Sequence, residues 1–77
     1  MTLRKNFAAN LRRLRQAAQL SQEELAHRAD IDRTYVSSLE RCQYSASLDM
    51  IEQLAAALAI EPHILLVKPS DQEASSD

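Results

Sequence analysis

Arg33, Thr34 and Tyr35 stand side by side, with Ser37, Ser38 and Arg41 following at helical spacing and Gln22 ahead of them. Their chemistry is recognition by hydrogen bonding. An arginine can give two parallel N–H bonds to O6 and N7 of guanine, a pair that discriminates by about 1–3 kcal/mol. Thr34 can touch a thymine methyl or a phosphate, and Tyr35 can stack along a sugar edge or hydrogen-bond a phosphate. Gln22 opens a helix whose first amides are free, so side chain and backbone together can hold a phosphate oxygen. Gln43, Tyr44 and Ser45 form a second candidate phosphate clamp in the loop that follows. Plainer roles compete with each of these. Arg33 could pair with Asp30 or Asp32, Tyr35 could be half-buried against Phe7 or Leu39, and Gln22 or the 43–45 loop could simply be solvated.

Catalysis lacks its parts. His27, His63 and Cys42 are the only candidates for nucleophile, base or soft metal ligand, and the chain has no glycine with which to build a phosphate-binding loop. The one cysteine excludes an internal disulfide, and no paired Cys/His spacing suggests zinc. Neither cofactor nor metal is expected, and both histidines are expected on the surface.

The elements that must position these residues can be read in the stretch LSQEELAHRADIDRTYVSSLER, residues 20–41. Ser21 with Glu24 three residues on makes a capping box, and Asp32 can accept the free amides of a second helix. Leu25, Ala26, Ala29, Ile31, Val36 and Leu39 are its apolar positions, which leaves Arg33, Thr34, Tyr35, Ser37, Ser38 and Arg41 for display. Two short helices joined by a tight turn result, and the second can enter a DNA major groove. With no glycine available, Asp30 must occupy that turn, since aspartate tolerates a left-handed backbone at some cost.

A first helix is expected from Thr2 to Ala18, with Leu3, Phe7, Leu11 and Leu14 on one face. Ser47 should cap a fourth, Leu48–Ala59, with Leu48, Ile51, Leu54, Ala55 and Leu58 inward. Glu61-Pro62 starts a short fifth helix. The segment IEPHILLV presents Ile60, Ile64, Leu65, Leu66 and Val67, more apolar surface than one thin helix can hide, and is the expected homodimer contact. Residues 1–68 then form one all-α, five-helix domain, and 69–77 an acidic tail expected to be disordered.

A 77-residue chain with 45% hydrophobic and 26% charged residues fits one small globule with a modest core. No apolar run approaches a membrane span and the start MTLRKNF has no signal-peptide stretch, so no membrane is expected among its partners. The net charge of −2 at first argues against a nucleic-acid partner. Its distribution answers the objection. Residues 1–44 carry eight of the nine basic side chains against five acidic ones, a net +3, whereas residues 45–77 carry Lys68 against six acids, a net −5. Such polarity would turn the N-terminal half toward an anion.

The pattern L-S-Q-E-E-L-A, the apolar Ile31 and D-R-T-Y-V-S-S-L-E-R together resemble the helix-turn-helix of Cro/CI-type (XRE-like) bacterial transcriptional regulators. The resemblance covers about Phe7 to Leu66. Within the group, DRTYVSSLER is similar to the recognition helix of the controller proteins of restriction-modification systems. The likeness implies a lambda-repressor-like fold, a cytoplasmic, nucleoid-associated regulator, and a homodimer on palindromic double-stranded DNA. It also implies a phosphate role for Gln22, and a Glu40-Arg41 pair whose acid stays inside with a basic residue of the first helix such as Arg13 while the arginine reaches phosphate. The family usually has glycine where this chain has Asp30 and Cys42, so both positions should reduce stability. Two other functions are compatible with these residues: an antitoxin that also grips a toxin as partner protein, and a protein-interaction module that has lost DNA binding.

Overall fold

The computed structural model describes residues 2–69; of the tail expected over 69–77, Pro69 is described and buried, and residues 70–77 lie outside the described residues. Four α-helices follow one another: α1 (Leu3–Ala17), α2 (Gln22–Ala29), α3 (Arg33–Glu40) and α4 (Leu48–Leu58). A 3-10 turn, Pro62–Leu66, takes the place of the expected fifth helix. Pro62 brings no N–H to its first turn, and the segment tightens to an Ile64 N–H bond onto the Glu61 carbonyl at 3.1 Å.

Two helices start at the caps the sequence indicates, and Thr2, expected inside the first helix, caps it instead. Thr2, Ser21 and Ser47 accept the amides of Lys5, Glu24 and Met50, at 3.2, 3.0 and 3.0 Å. Glu24 completes the capping box by accepting the Ser21 N–H at 2.8 Å. Asp32 departs from expectation, because it takes the cap position of α3 in extended backbone but makes no side-chain cap bond.

All four helices end alike. The residues at Gln19, Asp30, Cys42 and Ala59 adopt φ near +60°. The amide just beyond each reaches back five residues: Leu20 to Arg15, Ile31 to Ala26, Gln43 to Ser38 and Ile60 to Ala55, at 2.9–3.1 Å. This is the Schellman closure, which normally recruits glycine at the left-handed position. A chain without glycine builds it four times with side chains that clash there.

The core joins Phe7 and Leu11 of α1, Leu25 of α2, Val36 and Leu39 of α3, and Ile51, Leu54 and Leu58 of α4. Helix α2 packs on α3 and α4, and the 3-10 turn lies against α1 and α4. Two expected core residues are outside it: Leu3 is 60% exposed and Leu48 80%, each in the first turn of its helix and ahead of the packed stretch. Leu65 is the reverse correction. The apolar run assigns it to a dimer contact, yet it is fully buried in the domain's own core. The fully buried Asn10 holds it there, donating from Nδ2 to the carbonyls of Leu65 at 3.0 Å and Val67 at 2.7 Å.

Candidate nucleic-acid interface

The angle between α2 and α3 depends on Asp30, whose left-handed backbone reverses the chain, and on Ile31, which then packs on the core. Val36 and Leu39, three residues apart and fully buried, fix which face of α3 turns inward. Arg33 and Thr34 in its first turn are both exposed, with Tyr35 and Ser37 half-buried beside them. Ser38 does not belong to that display. It is 6% exposed and lines a shallow groove with Thr34, Tyr35 and Tyr44.

Arg33 makes no ion pair: among the described residues the single salt bridge joins Arg15 to Glu40. Its expected rivals, Asp30 and Asp32, leave it free to donate outward. The Tyr35 and Tyr44 rings stand with centroids 6.4 Å apart and planes tilted by 53°, within the range of a favourable aromatic pair. Arg41 and Gln43 are exposed and joined by a bond from Arg41 Nη2 to Gln43 Oε1 at 3.2 Å.

Glu40 ties the two ends of the motif together. Arg15 Nε donates to Oε2 at 2.6 Å and Arg15 Nη2 to Oε1 at 3.1 Å, while Gln22 Nε2 donates to Oε1 at 3.0 Å. Arg15 also donates from Nη1 to the Leu20 carbonyl at 2.8 Å, bracing the approach to α2. The carboxylate's partner on α1 is therefore Arg15 and not the expected Arg13. Two residues around a helix is a turn of about 200°, and Arg13 points instead to Asn10, donating from Nη2 to Oδ1 at 3.1 Å. Sequence spacing alone places neither Arg15 nor Asn10. At the same end of α2, the Ser21 backbone amide and then its hydroxyl hold the Glu24 carboxyl below the usual carboxylate range.

The array is thus a set of donors: Gln22 at the start of α2, Arg33 and Thr34 on the first turn of α3, Tyr35 and Tyr44 as a paired aromatic wall, and Arg41 with Gln43 beyond. Such a set can bond phosphate oxygens and base edges. A helix-turn-helix profile matches residues 11–65, most of the chain.

The chain belongs to the XRE-type helix-turn-helix family.

Members of this family are DNA-binding transcription regulators. A hypothetical transcription factor of Neisseria meningitidis serogroup B is 43% identical over 70 residues, which make up 91% of this chain and 66% of that protein. The crystal structure of a hypothetical transcription factor from Neisseria matches with a TM-score of 0.88 at 40% identity, covering 96% of this chain and 85% of that one. The restriction-modification controller protein C.AhdI of Aeromonas hydrophila matches with a TM-score of 0.78 at 48% identity, over 80% of this chain and 94% of that one. The fold is shared as well with the controller C.Esp1396I, solved as a tetramer in complex with its natural 35-base-pair operator. That likeness has a TM-score of 0.78 at 23% identity, over 84% of this chain and 86% of that one.

Proposed function

We propose that this protein is a sequence-specific transcriptional regulator that binds a palindromic operator as a homodimer, each α3 lying in a major groove. The observation that carries the reading is the display of Arg33 and Thr34 on the first turn of α3, unpaired and held outward by buried Val36 and Leu39. That turn is the one a helix-turn-helix sends to base edges, and two copies about 34 Å apart would read two half-sites.

Dimerisation supplies what one acidic module of 8.7 kDa lacks, a second recognition helix on the same duplex. The surface that supports it is the half-buried apolar set Ile60, Ile64, Leu66 and Val67, with Leu65 excluded because it serves the core. A groove that Leu66 lines together with Leu3, Phe7, Ala46 and Ile51, and with Arg4 and Lys5, adjoins that surface. Similarity to C.AhdI and the DRTYVSSLER helix favour a controller role, in which the protein regulates its own gene and a neighbouring restriction enzyme.

The test is titration of the purified protein, at two salt concentrations, against duplex DNA from upstream of its own gene and against a shuffled duplex. Cooperative binding to the upstream duplex alone supports the reading, and binding to neither overturns it. Arg33→Ala should lose discrimination at one base position, whereas Arg41→Ala should weaken all duplexes alike. Equal, sequence-independent losses from both would overturn the roles given to them.

A further inference from the structure

Helix α1 and the C-terminal end of α3 enclose an open cleft outside the helix-turn-helix display. Lys5, Arg12 and Arg13 line it from α1, and Arg41 lines it from α3. Its one acid is Glu40, whose side chain is only 4% exposed and already engaged by Arg15 and Gln22. Between the cations lie Ala8 and Ala9, which put no bulk in the way of an incoming group. Lys5 and Arg12 are exposed, and neither is in an ion pair among the described residues.

We propose that this cleft is a second docking point for the DNA sugar-phosphate backbone, made by Lys5 and Arg12 of α1 beside Arg41. The inference rests on the DNA-binding reading above and extends it to a helix that does not enter the groove. Three observations point to a polyanion. Lys5 and Arg12 are seven residues apart, about 10 Å along the helix, so they spread positive charge over a length that suits a run of phosphates better than a single small anion. The cleft is also continuous with the display, because Arg41 belongs to both and Glu40 links the cleft wall to Gln22 at 3.0 Å. Finally, the cleft sets the positive residues of an acidic protein along one path, where they act locally despite the net charge.

The experiment measures how the binding constant for the upstream duplex, and for a shuffled duplex, falls with salt. Wild type is compared with Lys5→Ala, Arg12→Ala and Arg28→Ala. Each phosphate that a variant no longer neutralises should reduce the slope of log K against log salt by about 0.9. Lys5→Ala and Arg12→Ala should each show that reduction on both duplexes and leave the ratio between the duplexes unchanged. Arg28→Ala removes the same charge from the exposed last turn of α2, away from the cleft, and should keep the wild-type slope. Thermal melting of each variant confirms that the fold is intact. If wild type binds the upstream duplex but the two α1 variants keep its slope, the role given to the cleft is wrong and the regulator reading stands. If all three variants lose slope equally, the effect is general charge and the proposal also falls. If wild type binds neither duplex, both readings fall together. Competition by polyglutamate that Lys5→Ala abolishes, with salt slopes unchanged, would give the cleft to an acidic protein instead.

Discussion

Gln22 Nε2 lies 3.0 Å from Glu40 Oε1, so the residue that opens α2 is held by the residue that closes α3. Arg15 binds the same carboxylate from α1, and one acid therefore fixes three helices of the recognition unit at a single point. The consequence for function is geometric. The phosphate bond proposed for Gln22 and the base bonds proposed for Arg33 would keep a constant separation only while this junction holds.

Breaking the junction should be expensive and non-additive. The Arg15 and Glu40 side chains are 12% and 4% exposed, so removing either leaves a charge in poor solvent without its partner. Arg15→Ala or Glu40→Ala should each cost about 3 kcal/mol, a large share of the roughly 4–12 kcal/mol a domain of this size holds. Replacing both by alanine should cost less than the sum of the two, since no orphaned charge remains. Urea unfolding of the four proteins checks this, and strictly additive losses would show that the pair is not coupled.

Neighbouring residues of the 3-10 turn should behave in opposite ways. Ile64 is half-buried on the surface proposed for a second copy, whereas Leu65 is fully enclosed. Ile64→Glu should give a folded monomer with native helicity. Leu65→Glu should unfold the domain, because an unpaired carboxylate would have to enter the core. Circular dichroism with sedimentation separates the cases. A folded Leu65→Glu monomer would return that residue to the interface.

The features legible in the sequence are those set by local chemistry. Ser21 with Glu24, Ser47 and the Asp30 turn involve partners within a few residues, and all are present in the structure. The side of α3 that turns inward is legible from Val36 and Leu39, but Ser38 reads as a displayed residue because its type is polar, although it is buried in the groove it lines with Tyr35 and Tyr44. Leu65 misleads for the opposite reason: its apolar neighbours Ile64 and Leu66 suggest a shared outward role. What decides its burial is Asn10, 55 residues away, a separation over which periodicity carries no information. Glu40's choice of Arg15 over Arg13 is of the same kind, a matter of where two helices cross.

Acid should weaken the start of α2. Hydrogen bonds from Ser21 lower the Glu24 pKa in the folded state, so the charged form stabilises the fold above the ordinary carboxylate value. That contribution fades as pH falls from the ordinary value through the lower, folded one. Glu24→Gln should therefore reduce stability at neutral pH and show a shallower further loss in acid than wild type. Thermal melts across that range check the sign, and parallel curves would show that the bonds favour neither protonation state.

The four glycine-free helix ends make the last prediction. Ala59 adopts φ 58° at the close of α4, where its Cβ meets the backbone and its side chain offers no hydrogen bond in return. Ala59→Gly removes that clash, at the expense of a more flexible unfolded chain, and should leave a net gain of about 0.5–1 kcal/mol. For a domain of this size that is an increase of a few degrees in Tm. Asp30→Gly should gain less, because aspartate is more at ease in left-handed backbone. Ala56→Gly, one turn back in the same helix with ordinary helical geometry, should lose about 1 kcal/mol and so control for glycine itself. Calorimetry on the three variants gives the ordering, and an Ala59→Gly protein that melts below wild type would show that the left-handed closure carries no strain.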